Sequence, residues 1–326
     1  MITKIKIDAY SLKILNQLNS NPKISISDLS KIISRSKPFV QYRLDSLLKK
    51  KVVERLYPLI DLKKLGYNIF DAFIKTKGYK KEGELISWLK NNKNVFYIER
   101  LVGSYSIRIS FFVKENKDAE KFTQEIMDSF SQEILEIETY PISSLIKTGN
   151  YPINGISSKI VKEIFNETDS ISLEKKELLV LRSINKNIRK SILEISHETS
   201  LSRKFVKKTL SKLEEKRVLN GYALDIDVEK LNLIHKIFML KLNTLGKVRL
   251  EKLKTYLTRQ KEVQIISFYN LNKIITIEIS IKNNENLREF QINLLENFSD
   301  IIHKIEVLDF YDEPKYSYMD EFLSEL

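Results

Sequence analysis

The strongest constraint on this chain is that it repeats itself. A shift of 166 residues places Leu12 on Leu178, Leu15 on Leu181 and Ser25-Ile26 on Ser191-Ile192. The same shift carries Ser36 onto Ser202, Phe39-Val40 onto Phe205-Val206, Leu47 onto Leu213 and Ile60-Asp61 onto Ile226-Asp227. Further on, a shift of 168 superimposes Val95 on Val263, Phe122 on Phe290 and Ile137-Glu138 on Ile305-Glu306. Repeats that hold register this long point to one supersecondary unit used twice. The unit is about 145–155 residues long, with residues 148–171 as the joint.

Composition narrows the classes open to such a duplication. The 326 residues contain no cysteine and three histidines, so a disulfide framework, an iron–sulfur cluster and a thiolate zinc site are excluded. His197, His235 and His303 are far apart and lack metal-ligand spacing, so no metal and no cofactor are expected. Charged residues interrupt every apolar run before it reaches the roughly 18–20 residues of a membrane span. The first residues, Met1 to Asp8, lack the apolar core of a signal peptide, which sets cytoplasmic as the expectation. The net charge of +12 calls for a polyanionic partner.

Within each unit the hydrophobic period changes midway. The first 60 or so residues read as three short helices: 8–20 with Leu12, Leu15 and Leu18 inward, a second with Leu29, Ile32 and Ile33 inward, and a third with Val40, Leu44 and Leu47 inward. Ser25-x-x-Asp28 and Ser191-x-x-Glu194 have capping-box spacing, and Ser36 is a good N-cap for the third helix. Val52–Ile60 then reads as a hairpin or wing. The remainder alternates: strand 68–77, helix 82–92, strands 95–103 and 105–114, helix 116–131 and strand 133–142. The second copy runs through 235–243, 247–259, 263–270, 273–281, 285–298 and 301–311 in the same order. The β-α-β-β-α-β order is that of the ferredoxin-like split βαβ. The expected class is therefore α+β, a duplicated winged helix-turn-helix followed by a ferredoxin-like domain. Its domains are 1–60, 61–147, a linker at 148–171, 172–228 and 229–326.

This arrangement resembles the Lrp/AsnC family of transcription regulators. Asp8 to Leu18 looks like that family's opening helix, Ile24 to Ser30 like the start of its second, and Ser36 through Arg43-Leu44 to Leu47 like its recognition helix. Val218-Leu219-Asn220-Gly221-Tyr222 is similar to its wing. The resemblance implies double-stranded DNA as partner. It also implies pairing of the two β domains within one chain, further dimerisation of chains, and an effector site near the turn between the middle strands. Gly103-Ser104-Tyr105 occupies that turn in copy one, but the family's two carboxylates are missing, and Leu271 to Ile274 in copy two keeps none of the pattern. An ordinary amino-acid effector is thus not expected, and a tight turn is sufficient reason for Gly103.

Charge locates the expected DNA contact. Residues 1–60 hold 12 Lys and Arg against 4 Asp and Glu, and residues 172–228 hold 13 against 8. The rest of the chain is close to neutral. Basic stripes confined to such segments are the footprint of nucleic-acid binding. With the apolar face inward, Ser36, Lys37, Pro38, Gln41, Tyr42 and Arg43 are the DNA-facing candidates in copy one. Ser202, Arg203, Lys204, Lys207 and Lys208 are those of copy two. Gln41 suits adenine and Arg43 a phosphate. The two faces differ, so one chain is expected to read two unlike half-sites.

No catalytic residue is assigned and no enzyme is expected. Gly78 to Gly83 has the outer glycines of a phosphate loop without its Lys-Ser/Thr. Glu136 and Glu138 read as solvent-facing strand residues, and Glu99-Arg100 as an edge charge pair. Two alternatives remain. One is an architectural DNA-binding protein with little sequence preference. The other is an enzyme like the sirohaem decarboxylases, which share this architecture; Asn94 to Arg100 keeps the Tyr and Arg of their His-Asn-Tyr-x-Arg segment but not the His.

Overall fold

The computed structural model describes residues 5–78, 80–153, 156, 161–165, 170–243, 246–269, 273–317 and 323. The chain opens with three helices, α1 (Ala9–Ser20), α2 (Ile26–Ile33) and α3 (Lys37–Lys49), and the strand β1 (Val53–Ile60). Each helix starts where a side chain satisfies an orphan backbone N–H. Asp8 accepts from Ser11 N–H at 2.8 Å, Ser25 from Asp28 N–H at 3.0 Å and Ser36 from Phe39 N–H at 3.4 Å. The second copy repeats the plan as α6 (Lys175–Lys186), α7 (Ile192–Thr199), α8 (Arg203–Glu215) and β7 (Leu219–Ile226). At the second helix the capping box is complete only in this copy, with Glu194 reaching back to Ser191 N–H at 2.7 Å. Asp28, one methylene shorter, accepts from the Ser25 hydroxyl instead.

Duplication is visible in the backbone. Ser34 and Ser200, Lys51 and Arg217, and Gly66 and Asn232 are pairs 166 residues apart, and all six have positive φ. The left-handed turns are thus kept between copies even where the residue is not glycine.

Three details of the helical packing differ from expectation. Ile14 is buried on α1 while Leu12 is half-buried, Ile32 is 53% exposed on α2, and Thr209 is buried on α8 while Leu210 is half-buried. A three-helix domain with a single strand has a narrow core, and one stripe per helix fills it.

The expected hairpin is not a hairpin. β1 pairs antiparallel with β7, its own counterpart, in a two-stranded ribbon running from Val53–Ile226 to Ile60–Leu219. Each strand finds in the other copy the backbone partners that it lacks locally. The packing is also exchanged. Leu224 and Ile226 of β7 enter the core of the first winged helix, while Leu56 of β1 packs on the core of the second.

The first β domain contains β2 (Asn68–Thr76), α4 (Glu82–Asn91), β3 (Val95–Val102), β4 (Ile107–Val113), α5 (Asn116–Ser129) and β5 (Ile134–Lys147). A short strand β6 (Lys162–Glu163) follows. The second contains β8 (Ile234–Leu242), α9 (Lys247–Arg259), β9 (Val263–Tyr269), β10 (Ile274–Ile281), α10 (Asn284–Phe298) and β11 (Ile302–Tyr316). Strand orders β5-β2-β4-β3 and β11-β8-β10-β9 make both ferredoxin-like. One face of each sheet packs on its own helices, through Ala72, Ile109 and Phe111 in the first and Phe238, Ile277 and Ile279 in the second. The other faces meet in a shared core that includes Phe73, Tyr105, Met239, Tyr269 and Leu308.

The two long strands tie the domains together. β5 pairs first with β2 and then, from Ile142 to Lys147, with β9 of the other domain. β11 pairs first with β8 and then, from Asp309 to Tyr316, with β3. Both therefore run five residues past the expected ends at 142 and 311. Ser143-Ser144 and Asp312-Glu313-Pro314 break the apolar alternation there, because the second half of each strand serves the other unit. The joint is packed too: Tyr151 and Ile156 enter the first winged-helix core, and Ile164 and Phe165 enter the core between the sheets.

Candidate nucleic-acid interface

α3 and α8 each follow a left-handed turn residue and an N-capping serine, which fixes where their first turns begin. Pro38 sits in the first turn of α3, where its missing N–H costs nothing. Val40, Leu44 and Leu47 anchor α3, and Val206, Thr209 and Leu213 anchor α8. Their opposite faces are left to solvent. Ser36, Lys37, Pro38, Gln41 and Tyr42 are all exposed, Tyr42 to 70%. On the second face Ser202, Arg203, Lys204, Lys207 and Lys208 are exposed.

The two faces are held differently. Gln41 donates to Asp45 one turn on at 2.8 Å. Arg43 reaches the side chain of Asp8, the N-cap of α1, and lies 5.2 Å from the Phe39 ring centroid. The guanidinium expected to hold a phosphate is thus engaged within the fold. Among the described residues, Arg203, Lys204 and Lys207 make no ion pair, which leaves their charge directed outward. Gly103 and Ser104 follow β3, and Tyr105 is buried in the core between the sheets, its hydroxyl donating to Glu138. A Cβ on Gly103 would lie 2.8 Å from Leu308 Cδ2, at a φ of +147°. The corresponding turn of copy two lies largely outside the described residues.

Sequence reasoning missed an interior site. A cavity of about 460 Å³ lies between the β1–β7 ribbon and the paired sheets. Arg55 of the ribbon donates to Asp225 at 2.7 Å and grips Glu313 of β11 at 2.6 and 2.7 Å. Lys147 of β5 donates to Tyr57 at 2.6 Å and pairs with Asp225. Burial raises the pKa of Asp225, but Lys147 and Arg55 outweigh it and hold the carboxyl at about 2. Deeper, Arg108 donates to Glu278 at 2.6 Å and faces Glu99 at 2.8 Å. Tyr97 donates to Glu99 at 2.6 Å.

Glu99 is therefore not part of an edge pair. β3 is an interior strand, covered by β11, and Glu99 is fully buried; Arg100 instead donates to Asp312 at 2.6 Å. Glu138 is likewise only partly exposed, paired with Tyr105 and 3.6 Å from Lys241, whereas Glu136 is exposed as expected. The signal that could have exposed the cavity was in the repeat itself. His235, Gln264 and Ser280 line it at positions where copy one has Ile69, Phe96 and Phe112.

No helix among the described residues is long and apolar enough to cross a membrane. Residues 7–54 match the model of a winged helix-turn-helix DNA-binding family. An uncharacterized HTH-type transcriptional regulator of Pyrococcus horikoshii is 26% identical over 137 residues, covering 40% of this chain and 93% of its own. A second from that organism is 27% identical over 147 residues, covering 45% of this chain and 92% of its own. These relatives are one unit long. Along nearly its whole length the chain has the fold of the siroheme decarboxylase NirDL, with a TM-score of 0.64, 14% identity and coverage of 97% of this chain and 96% of the other. The chain thus carries a winged helix-turn-helix of the DNA-binding kind and is similar, one unit at a time, to HTH-type transcriptional regulators.

Proposed function

We propose that this protein is a sequence-specific transcription regulator of double-stranded DNA that reads two unlike half-sites with α3 and α8. The carrying observation is the contrast between their outward faces. Gln41 and Tyr42 stand on α3 where Lys207 and Lys208 stand on α8. A bidentate amide reads a base edge, whereas ammonium groups mainly neutralise phosphates. The duplication carries both helices on one chain, and the β1–β7 ribbon that joins the two winged helices supports a single polypeptide doing the work of a family dimer. It acts in the cytoplasm and without catalysis of its own.

A titration of the full chain against genomic fragments at about 50 and 200 mM salt tests the reading. Specific fragments should bind far more tightly than bulk DNA at both salts. Equal affinity for all fragments, falling steeply with salt, would support an architectural role instead.

The decarboxylase reading rests on the whole-chain likeness to NirDL, also described in complex with an iron-uroporphyrin III analogue. A tetrapyrrole of that kind is a polycarboxylate and needs cations around it. Eight carboxylate residues line the cavity against Arg55, Arg108 and Lys147, and all three of those cations already hold acidic partners. The residues present do not fit the group. Adding sirohaem and following its Soret band provides the direct check: stoichiometric binding would favour the enzyme.

A further inference from the structure

The cavity behind the wing ribbon is built from both units, and one part of its polar wall has no counterpart in the other copy. In copy one, Phe112 packs edge-on to Tyr67 at 5.5 Å and stacks with Phe96 at 6.3 Å. The corresponding positions in copy two are Ser280, Leu233 and Gln264, and Ser280 donates to Gln264 at 2.9 Å. His235 replaces Ile69 and stacks on Phe310 at 4.9 Å. Its Nε2 is buried without a hydrogen-bond partner, 3.8 Å from Glu278. Burying polar groups costs free energy that apolar residues would not, so a polar set in one copy only is a feature that needs a use.

The walls carry an excess of negative charge. Burial keeps His235 neutral near neutral pH by lowering its pKa. The three cations of the wall are committed to Asp225, Glu313, Glu99 and Glu278. On the ribbon side Lys230 pairs with Asp227 at 2.7 Å and Arg55 lies 3.7 Å from Glu54, whereas Glu229 has no ion pair among the described residues. Glu54 and Glu229 both titrate above their usual range, with burial the largest cause and acidic neighbours adding to it. Aromatic rings, among them Tyr57, Tyr97, Tyr151 and Tyr316, share the lining with aliphatic side chains such as Leu59, Ile142 and Ile164. Carboxylates combined with ring faces in a low-dielectric space favour a cation over an anion. A cavity of this volume has room for a small organic molecule.

We infer that this cavity is a binding site for an aliphatic amine carried as its ammonium, held by Glu229 on the ribbon side and by the polar pocket of His235, Gln264 and Ser280. An ammonium there offsets the excess of carboxylates over cations and offers Nε2 of His235, buried without a hydrogen-bond partner, a donor. The site does not depend on the DNA reading, so it is tested without DNA.

The experiment is calorimetric titration of the full chain with putrescine and spermidine, and with glutarate and uroporphyrin III as anionic counterparts. Saturable binding of an amine, one per chain, is expected, with none of either anion. Ser280→Phe, which restores the copy-one residue, should abolish it. Glu229→Gln, at the ribbon side and harmless to the core, should weaken it about tenfold, as expected when one charged hydrogen bond is removed. This second variant decides the matter if Ser280→Phe fails to fold. Absence of saturable amine binding, amine binding that Glu229→Gln leaves unchanged, or tight binding of uroporphyrin III would overturn the assignment.

Discussion

Arg108 of the first unit and Glu278 of the second meet at 2.6 Å between the two sheets, where both are buried. The guanidinium also faces Glu99, which is fully buried, so one cation stands between two carboxylates from different copies. Removing only the cation would leave two buried acids without the charge that balances them, Glu99 keeping only the Tyr97 hydroxyl. Arg108→Leu should therefore lower stability by about 3–5 kcal/mol, the range found when a buried pair loses one member. Denaturant unfolding measures it. Converting Glu99 and Glu278 to Gln in the same chain should recover part of the stability, and a failure to recover any would show that the charges are not the cause.

Gly103 supplies a second structural link between the units. A side chain there would be strained by a φ of +147° and would meet Leu308 Cδ2 at 2.8 Å. Gly103→Ala should cost about 1–3 kcal/mol, in the range of strained non-glycine backbone. Leu308→Ala in the same chain relieves the collision but not the strain, so thermal melts should show partial rescue at most. A neutral Gly103→Ala would disprove the close packing of this turn on β11.

Two carboxyls on the ribbon respond to pH in opposite senses. Asp225 has a folded pKa of about 2, below its ordinary 3.8, so its stabilisation is present above about pH 4 and disappears as pH falls toward 2. Glu54 is pushed up to about 7 from 4.5, by burial first and then by Asp225, Glu313 and Asp227 against the opposing pull of Arg55. Its ionised form is disfavoured in the folded chain, so stability should rise as pH falls from about 8 to 5. Glu54→Gln should flatten that rise while leaving the acid-side decline in place. An unchanged slope between about pH 5 and 8 would assign it to another group.

Lys207→Ala and Lys208→Ala should weaken binding to every DNA sequence by similar factors. Removing one lysine–phosphate pairing should reduce the salt slope of log K by about 1. Gln41→Ala should instead cost about 1–3 kcal/mol on the preferred sequence and relax the preference at one base pair. Affinity measured on matched and mismatched duplexes separates the two patterns. Arg43→Ala should act chiefly through stability, because its guanidinium is held by Asp8 at the α1 N-cap.

The duplication, both capping serines and the strand–helix order were legible because they depend on local chemistry and on period. Ser36 and Ser202 announce α3 and α8 whatever surrounds them. The wing was not legible: Val53–Ile60 shows a strand but not its partner, and the partner is 166 residues away in the other copy. The same holds for the distal halves of β5 and β11, whose polar residues serve a neighbouring sheet. Glu99 looked like an edge charge because a strand's place in a sheet cannot be read from its own residues. Metal-ligand spacing says nothing about His235. What marks it is its counterpart in the other copy, Ile69, at the same strand position.

Selection of sites from random DNA with the full chain, followed by footprinting of a single bound chain, tests the central claim most directly. A defined motif made of two unlike halves is expected, the sharper one abolished by Gln41→Ala and the more tolerant one weakened by Lys207→Ala. Two identical half-sites protected equally, or affinity without any motif, would contradict it.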